Sequence, residues 1–407
     1  MRVLIATVTA GGGHVAAAAA LEEAWRALRP DDAVERVDLV RFFSPLHRKV
    51  YADGYVKLVE RAPELWGMLF GKTDNPRVAR RLGKLRRAFP SSSRKKFTGH
   101  LKHFRPDIVL CTHYAPLATL GFLKTSEGGV PRRSQKCRRG ELYESLTNRM
   151  PLKIGARRAR PSASWKQPFV ASIVTDFEAH ALWMDACVDL YCVAAEETRA
   201  RLVARGVPAE NAVATGIPIA ARFSSKPDVK AVRRNYGLRD DLPILLVLSG
   251  GFGMGPVAEI LAELDKVPQP FQTIVVTGRN EQLRRDLAAQ NRRHPTHVLG
   301  FSTNMHELMA AASLIITKPG GLTSSEALAL GKPLFILNPI PGQEAANSDF
   351  LLERGAAAKV NRVEDLPFRI KQLLGSKKLA EMAKAAKSLG RPQSAQAVCR
   401  EVLKRLL

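Results

Sequence analysis

The sequence predicts an α/β protein made of two doubly wound parallel sheets. Three observations carry this. Short apolar runs recur along the whole chain and alternate with helical patterns, which is the signature of strands joined by helical crossovers. Glycine-rich turns follow several of these runs, as they do where a strand hands over to a helix in a ligand-binding α/β sheet. The alternation pauses at a polar stretch, 223–237, and then restarts, so 407 residues divide into two domains rather than one core.

In order, the N-terminal half opens with a strand over 2–8, a glycine turn, a helix over 15–28 and a second strand over 34–40. Strand-like runs follow at 107–113, 169–176, 190–194 and 213–216. Residues 223–237 have few apolar anchors and are expected to be a linker. Beyond it, strands are expected at 244–249, 273–277, 297–301, 314–317 and 333–337. The expected boundaries are 1–222 for the first domain, 238–390 for the second and 391–407 for a closing helix. In open sheets of this kind ligands bind at the carboxyl ends of the strands, so the two domains are expected to face a shared cleft.

The hydrophobic content of 45% is that of an ordinary globular chain. No run reaches the roughly 18 apolar residues of a membrane span, and the apolar start at 3–8 is too short for a signal peptide, so a cytoplasmic protein is expected. The five cysteines, Cys111, Cys137, Cys187, Cys192 and Cys399, show no CxxC spacing and read as reduced thiols. The net charge of +25 calls for an anionic partner, a nucleic acid or an acidic membrane surface. Residues 238–407 hold 22 Lys+Arg and 16 Asp+Glu, net +6, which leaves +19 in the N-terminal half. RNP-type aromatic motifs and a basic helix-turn-helix are not apparent and aromatics are only 6%, so nucleic acid is not expected.

Two segments hold much of that charge. Between 75 and 106 there is no Asp or Glu, while Arg77, Arg80, Arg81, Lys84, Arg86, Arg87, Arg94, Lys95 and Lys96 crowd together. Val78, Leu82, Leu85 and Phe89 share one helical stripe, which predicts a cationic amphipathic helix at the interface of an anionic membrane, with a basic helix packed on its own domain as the plainer reading. The second segment, 125–166, is basic, aperiodic and read as an insertion.

The most informative stretch is 315–357. An apolar strand runs into Pro319-Gly320-Gly321, with Thr323 and a helix expected from about Ser324, then a strand and a polar loop with Gln343 and Glu344. Glycines after a strand let backbone N–H groups approach a diphosphate, and the helix N-terminus adds roughly half a positive charge. Glu326, placed in the first turn of that helix, suits a pair of ribose hydroxyls, and Gln343 and Glu344 suit those of a hexose. This outlines a nucleotide-sugar pocket. The glycine run holding Gly250, Gly251 and Gly253 offers further backbone donors, although alone such a loop also serves FAD or NAD. No DxD pair stands at a strand end in this half, so no metal and no other cofactor is expected, and Lys318 is available to the diphosphate.

The motifs ITKPGG, SEALALGKP, PIPGQEAAN and RGAA, in that order, resemble the diacylglycerol glycosyltransferases related to MurG, both the bacterial diglucosyldiacylglycerol and the plant-type monogalactosyldiacylglycerol synthases. SGGFGMGP at 249–256, Gly278-Arg279-Asn280, Gly300-Phe301 with Asn304-Met305, and Gly11-Gly12-Gly13-His14 resemble the plant-type pattern. The resemblance implies the GT-B architecture of two Rossmann-like domains, with the last helix crossing back to the first domain. It implies UDP-glucose or UDP-galactose as donor, diacylglycerol as acceptor, inversion at C1, and work at the cytosolic face of a membrane without a span. Phe301 or Met305 is then expected near the uracil, with Arg279 and Asn280 beside the nucleotide.

Transfer to an alcohol needs a base, and a histidine with an ordinary pKa near 6.5 suits that task. In the family the histidine of the GGGH turn is the proposed base, and this implies the role for His14. Asp176, read as the end of a strand, can orient His14, hold the acceptor or act as base itself, and His180 and Trp183 follow it in the family's pattern. A MurG-like transfer to another lipid-linked acceptor is the alternative, and a nucleotide-sugar-binding or nucleic-acid-binding protein is the non-enzyme one.

Overall fold

The computed structural model describes residues 1–9, 12–44, 48, 62–75, 91–126, 167–250, 255–337 and 339–406. The stripe at 78–89, nearly all of the insertion and two donor-loop glycines, Gly251 and Gly253, lie outside these residues. The chain forms two compact units. One comprises Met1–Ala10, Ala17–Ile217 and Ala395–Leu407, the other Gly11–Ala16 and Pro218–Ser394.

The first unit is built on β1 (Arg2–Thr7), α1 (Gly12–Leu28), β2 (Ala33–Asp38), α2 (Pro63–Thr73), α3 (Ser91–Phe104), β3 (Ile108–Cys111), α4 (Ala115–Ser126), β4 (Phe169–Ile173), β5 (Leu190–Val193), α5 (Glu196–Ala204) and β6 (Ala212–Ala214). Its sheet has the order β2-β1-β3-β4-β5-β6, and every pairing is parallel. Strands β3 and β5 are buried at every position, as expected for a parallel sheet covered on both faces. Two apolar clusters do the covering. Leu4, Val109, Val170 and Tyr191 face one side with Phe97 and Leu101 of α3, while Val3, Ile5, Leu110 and Cys192 face the other with Leu21 and Trp25 of α1.

The second unit has α6 (Val229–Asn235), β7 (Ile244–Leu248), α7 (Val257–Leu264), β8 (Gln272–Val276), α8 (Glu281–Ala288), β9 (Thr296–Leu299), α9 (Met305–Ala311), β10 (Leu314–Thr317), α10 (Gly321–Ala329), β11 (Leu334–Leu337), α11 (Gln343–Glu353), β12 (Ala357–Val360), α12 (Leu366–Leu373) and α13 (Lys377–Leu389). Its all-parallel sheet runs β12-β11-β10-β7-β8-β9. Counted within the unit, this is the dinucleotide-fold order, which reverses between β7 and β10. The closing helix α14 (Ser394–Lys404) places Ala395, Val398, Cys399 and Val402 in the core of the first unit.

Several expectations need correction. Residues 223–237 are not a linker. Phe223 and Val232 are buried, and α6 starts on the Asp228 carboxylate, which accepts from the N–H groups of Lys230 and Ala231. A seven-residue helix with one core anchor shows almost no periodicity, so it reads as polar chain. The units divide between Ile217 and Pro218, and again between Ser394 and Ala395, rather than at 222, 238 and 390. Gly12, Gly13 and His14 are the first turn of α1 and not a turn before it. Strand β12, at one edge of the sheet, is short and only half buried, and its sequence signal is only the tail of a motif.

Candidate functional site

The reversal between β7 and β10 puts two loops side by side at the carboxyl ends of those strands. Their residues, with α7 and β11, line a small open pocket: Leu248, Ser249, Gly255, Pro256, Ile316, Thr317 and Lys318 among them. The backbone here is shaped by glycine. Gly250 and Gly255 have φ of 76° and 114°, a region that side chains with a Cβ avoid. A Cβ on Gly250 or on Gly320 would meet nothing within 4 Å, so both backbones stand open to an approaching ligand. Ser249 fixes the first loop by donating from its hydroxyl to the Val276 carbonyl at 2.9 Å.

Lys318 follows β10 and its side chain reaches toward Gly255, with Cε 3.8 Å from where a Cβ would stand. Among the described residues no carboxylate pairs with Lys318. Pro319 is buried, and Gly320 caps α10 with extended dihedrals, so that Gly321 rather than Ser324 begins the helix. Ser324 looks like an N-cap by type. Its hydroxyl is instead fully buried, and the helix has already begun three residues earlier at Gly321. Thr323 is half-buried in the first turn, and Glu326 moves from the expected first turn to the second.

Glu326 is the site's most perturbed group. Burial pushes its carboxyl up to about 8, while the guanidinium of Arg222 draws it back toward the charged form. It therefore stands largely neutral at pH 7, ready to give up its proton to a ligand that offers hydroxyl donors. Arg222 escaped the sequence reading, which left it as the last residue of the first domain. It belongs to the second unit and donates to the Thr303 carbonyl at 3.2 Å, tying the loop after β9 to the neighbourhood of Glu326. Its only signal in the sequence is a charge directly before buried Phe223.

That loop carries Phe301, 64% exposed, with the exposed Arg279 guanidinium 5.7 Å from its ring centroid. The pair offers a flat, cation-backed surface to a planar ring. Met305 is half-buried at the start of α9. Asn280 caps α8, its Oδ1 accepting from Leu283 N–H at 2.9 Å, so part of its hydrogen-bonding capacity is structural. Gln343 and Glu344 are not in a loop. They are the first turn of α11, entered through Gly342 at φ 97°, and Glu344 Oε2 accepts from Ile340 N–H at 2.8 Å. The glycine and two nearby prolines make that turn read as coil.

In the first unit β4 stops at Ile173, so Asp176 lies three residues into the following loop, half-buried, and not at a strand end. Val174 still donates to Cys192 at 2.9 Å, but the pairing goes no further. His14 is half-buried in the first turn of α1, and its segment, Gly11–Ala16, groups with the unit that holds the donor-type loops. His180 is a fastener. Nδ1 accepts from Leu182 N–H at 3.1 Å, Nε2–H donates to the Phe70 carbonyl at 3.0 Å, and burial holds its pKa below the usual imidazole range. A neutral imidazole with its proton on Nε2 satisfies all of this. Trp183 is buried, edge-on to Tyr114, as packing.

Two Rossmann-like units, the second with open glycine loops at its switch point, make up the GT-B architecture. Residues 14–131 and 147–219 match the family described as monogalactosyldiacylglycerol (MGDG) synthase, and 249–398 match the glycosyltransferase family 28 C-terminal domain. The processive diacylglycerol beta-glucosyltransferase of Bacillus cereus (strain ATCC 10987 / NRS 248) is 30% identical over 407 residues, spanning 99% of this chain and 93% of that protein. The enzyme of the same name from Bacillus anthracis (strain A0248) has the same identity and coverage. The chain belongs to this family of diacylglycerol glycosyltransferases. Among solved structures, Acinetobacter baumannii MurG superposes with a TM-score of 0.57 at 16% identity, covering 99% of this chain and 100% of that one. A Neisseria meningitidis UDP-GlcNAc 2-epimerase bound to UDP-GlcNAc gives 0.56 at 14%, with 99% and 100% covered. Those two likenesses are of fold alone. The stretch 132–146, left between the two family matches, falls inside the basic insertion.

Proposed function

We propose that this glycosyltransferase moves glucose or galactose from a UDP-sugar to the free hydroxyl of diacylglycerol, with inversion, to give a β-glycosyldiacylglycerol. The observation that carries the donor side is Glu326, a carboxyl raised by burial, on the helix that follows the open Lys318–Gly320 backbone. On UDP binding it would release its proton and accept from two ribose hydroxyls. The diphosphate would lie on the N–H groups of Gly250 and Gly320–Gly321 with Lys318 beside it, and uracil would lie on Phe301 and Arg279. The names of the relatives support the acceptor.

In the reaction the acceptor oxygen attacks C1 from the side opposite the diphosphate. A C1–O bond forms, the C1–O(phosphate) bond breaks, and UDP departs with the electron pair. His14 takes the hydroxyl proton, and Asp176 steadies the acceptor or the imidazole. Backbone dipoles and Lys318 stabilise the leaving group, and the proposal assigns no metal to the reaction. The enzyme works peripherally at the cytosolic face of an anionic membrane, with the acid-free segment 75–106 as its basic contact. Among the described residues no helix is long and apolar enough to cross a membrane. The deciding experiment is incubation of the purified protein with diacylglycerol liposomes and either UDP-glucose or UDP-galactose. A β-hexosyl diacylglycerol is the expected product. Turnover only on a polyprenyl-linked acceptor would overturn the reading in favour of a MurG-like transfer.

A further inference from the structure

The polar segment 221–237 braces the loop that follows β9. Its opening turn, Ala221–Ser224, packs against α10 and buries Phe223, whose ring stands edge-on to His306 of α9 at 6.1 Å between centroids. Ser224 Oγ donates to the Pro392 carbonyl at 2.6 Å, and Ser225 Oγ donates to the Arg222 carbonyl at 2.6 Å, so the turn itself is fixed. Arg222 Nη1 then reaches the Thr303 carbonyl at 3.2 Å. At the other end of the segment, the Tyr236 hydroxyl accepts from Asn304 Nδ2 at 3.1 Å. The loop that carries Phe301 is thus held at two consecutive residues, both times from 221–237.

Arg222 does more than brace. It is exposed, and among the described residues the bond to Thr303 is its one hydrogen bond, so the N–H groups of Nε and Nη2 meet no protein acceptor. Its charge nonetheless acts on Glu326, which is half-buried and is the only charged residue of α10. The two groups are neighbours without being a pair. Burial explains this, because a carboxyl kept protonated offers a guanidinium little, whereas an ionised one offers short, charge-assisted hydrogen bonds.

We infer that Arg222 is a positioning residue of the donor site: when a nucleotide brings its ribose hydroxyls to Glu326, the free N–H groups of Arg222 close on the carboxylate while Nη1 keeps the Thr303 carbonyl. One guanidinium then spans the partner of the ribose and the loop beneath the base. Ribose and base are gripped as a unit. The ligand this arrangement selects is a nucleoside with vicinal ribose hydroxyls and a planar base, and its phosphates play no part in the coupling. The inference rests on the proposed function for the role of Glu326.

The test is calorimetry on the full-length protein with UDP and with uridine, the second measured by displacement of UDP. Arg222→Met should weaken both by about tenfold, the range of a close charged pair, and Arg222→Lys should recover most of the affinity. In a Glu326→Gln background, which offers no carboxylate, Arg222→Met should cost less than about twofold. With the UDP-sugar, Arg222→Met should raise the donor KM and leave kcat within about twofold. Equal losses in the two backgrounds overturn the inference, because Arg222 would then act on the fold and not through Glu326. A loss with UDP that is absent with uridine overturns it as well, since Arg222 would then touch the diphosphate. If Glu326→Gln is weakened and Arg222→Met is not, the inference falls and the donor reading stands. If Glu326→Gln binds UDP like the wild type, the donor reading falls and the inference with it.

Discussion

The two units use the ends of their strands differently. In the second, the passage from β10 to α10 takes three residues, 318–320, and the pocket beside it is lined by the strand ends and the short loops after them. In the first, β2 and β3 are separated by residues 39–107 and β3 and β4 by 112–168, and those passages carry the cationic run, the exposed Leu65, Met68 and Leu69 of α2 and the insertion. A nucleoside diphosphate is small, rigid and highly charged, so a few oriented N–H groups and one lysine recognise it. A lipid in a bilayer presents area and a diffuse field. In the proposed function exposed apolar surface and many cations answer to that, and they need chain length.

The largest expected effect sharpens the division of labour. His14→Ala should lower kcat by about 10² to 10⁴ while UDP affinity stays within a factor of two or so, roughly the range of a general base. Near wild-type turnover on diacylglycerol would remove His14 and hand the role to Asp176. Next comes the fastener at the end of α2 in the first unit, where Asp74 pairs with Arg205. Asp74 and Arg205 are 18% and 15% exposed, so Asp74→Ala leaves a mostly buried guanidinium without its carboxylate and should cost about 3 kcal/mol of stability. Chemical denaturation measures that. The apparent KM for vesicle-borne diacylglycerol should rise and the UDP Kd should not, and a change confined to UDP would break the comparison.

For the second unit, Glu326→Ala removes two hydrogen bonds to a charged group, and UDP affinity should fall by about tenfold or more. Unchanged binding by calorimetry would show that the ribose lies elsewhere. The smallest effect concerns pH. Because the Glu326 carboxyl is raised to about 8, above its unfolded value of 4.5, the folded protein holds a proton that the unfolded chain has released between those limits. Its contribution to stability is present in full below the unfolded pKa and is lost as pH rises toward 8. Glu326→Gln should therefore flatten the thermal stability profile over that window. UDP, which in the proposed function engages the carboxylate form, should bind the wild type more tightly as pH rises toward 8 and Glu326→Gln with no such trend. A wild-type profile that is flat from pH 6 to 8 would show that Glu326 keeps its proton in the complex.

Much of this molecule was legible in one dimension. Apolar runs without polar alternation announce strands buried on both faces, and helices between them force parallel pairing, so the first sheet and all but the edge strand β12 of the second follow from pattern alone. The glycines after β10 likewise mark where the backbone can stand open, because a residue without a Cβ leaves its N–H and C=O uncovered. Tertiary structure decided what depends on neighbours far apart in sequence. It turned Gln343 and Glu344 from loop into helix, drew 223–237 into a folded unit through a few buried anchors, and shortened β4 so that Asp176 sits on a loop. It also brought Arg222 under the influence of Glu326, raised that carboxyl by burying it, and left one face of α2 bare. Solvation and electric field at a side chain are set by everything that surrounds it in space, and a linear pattern records only what precedes and follows it.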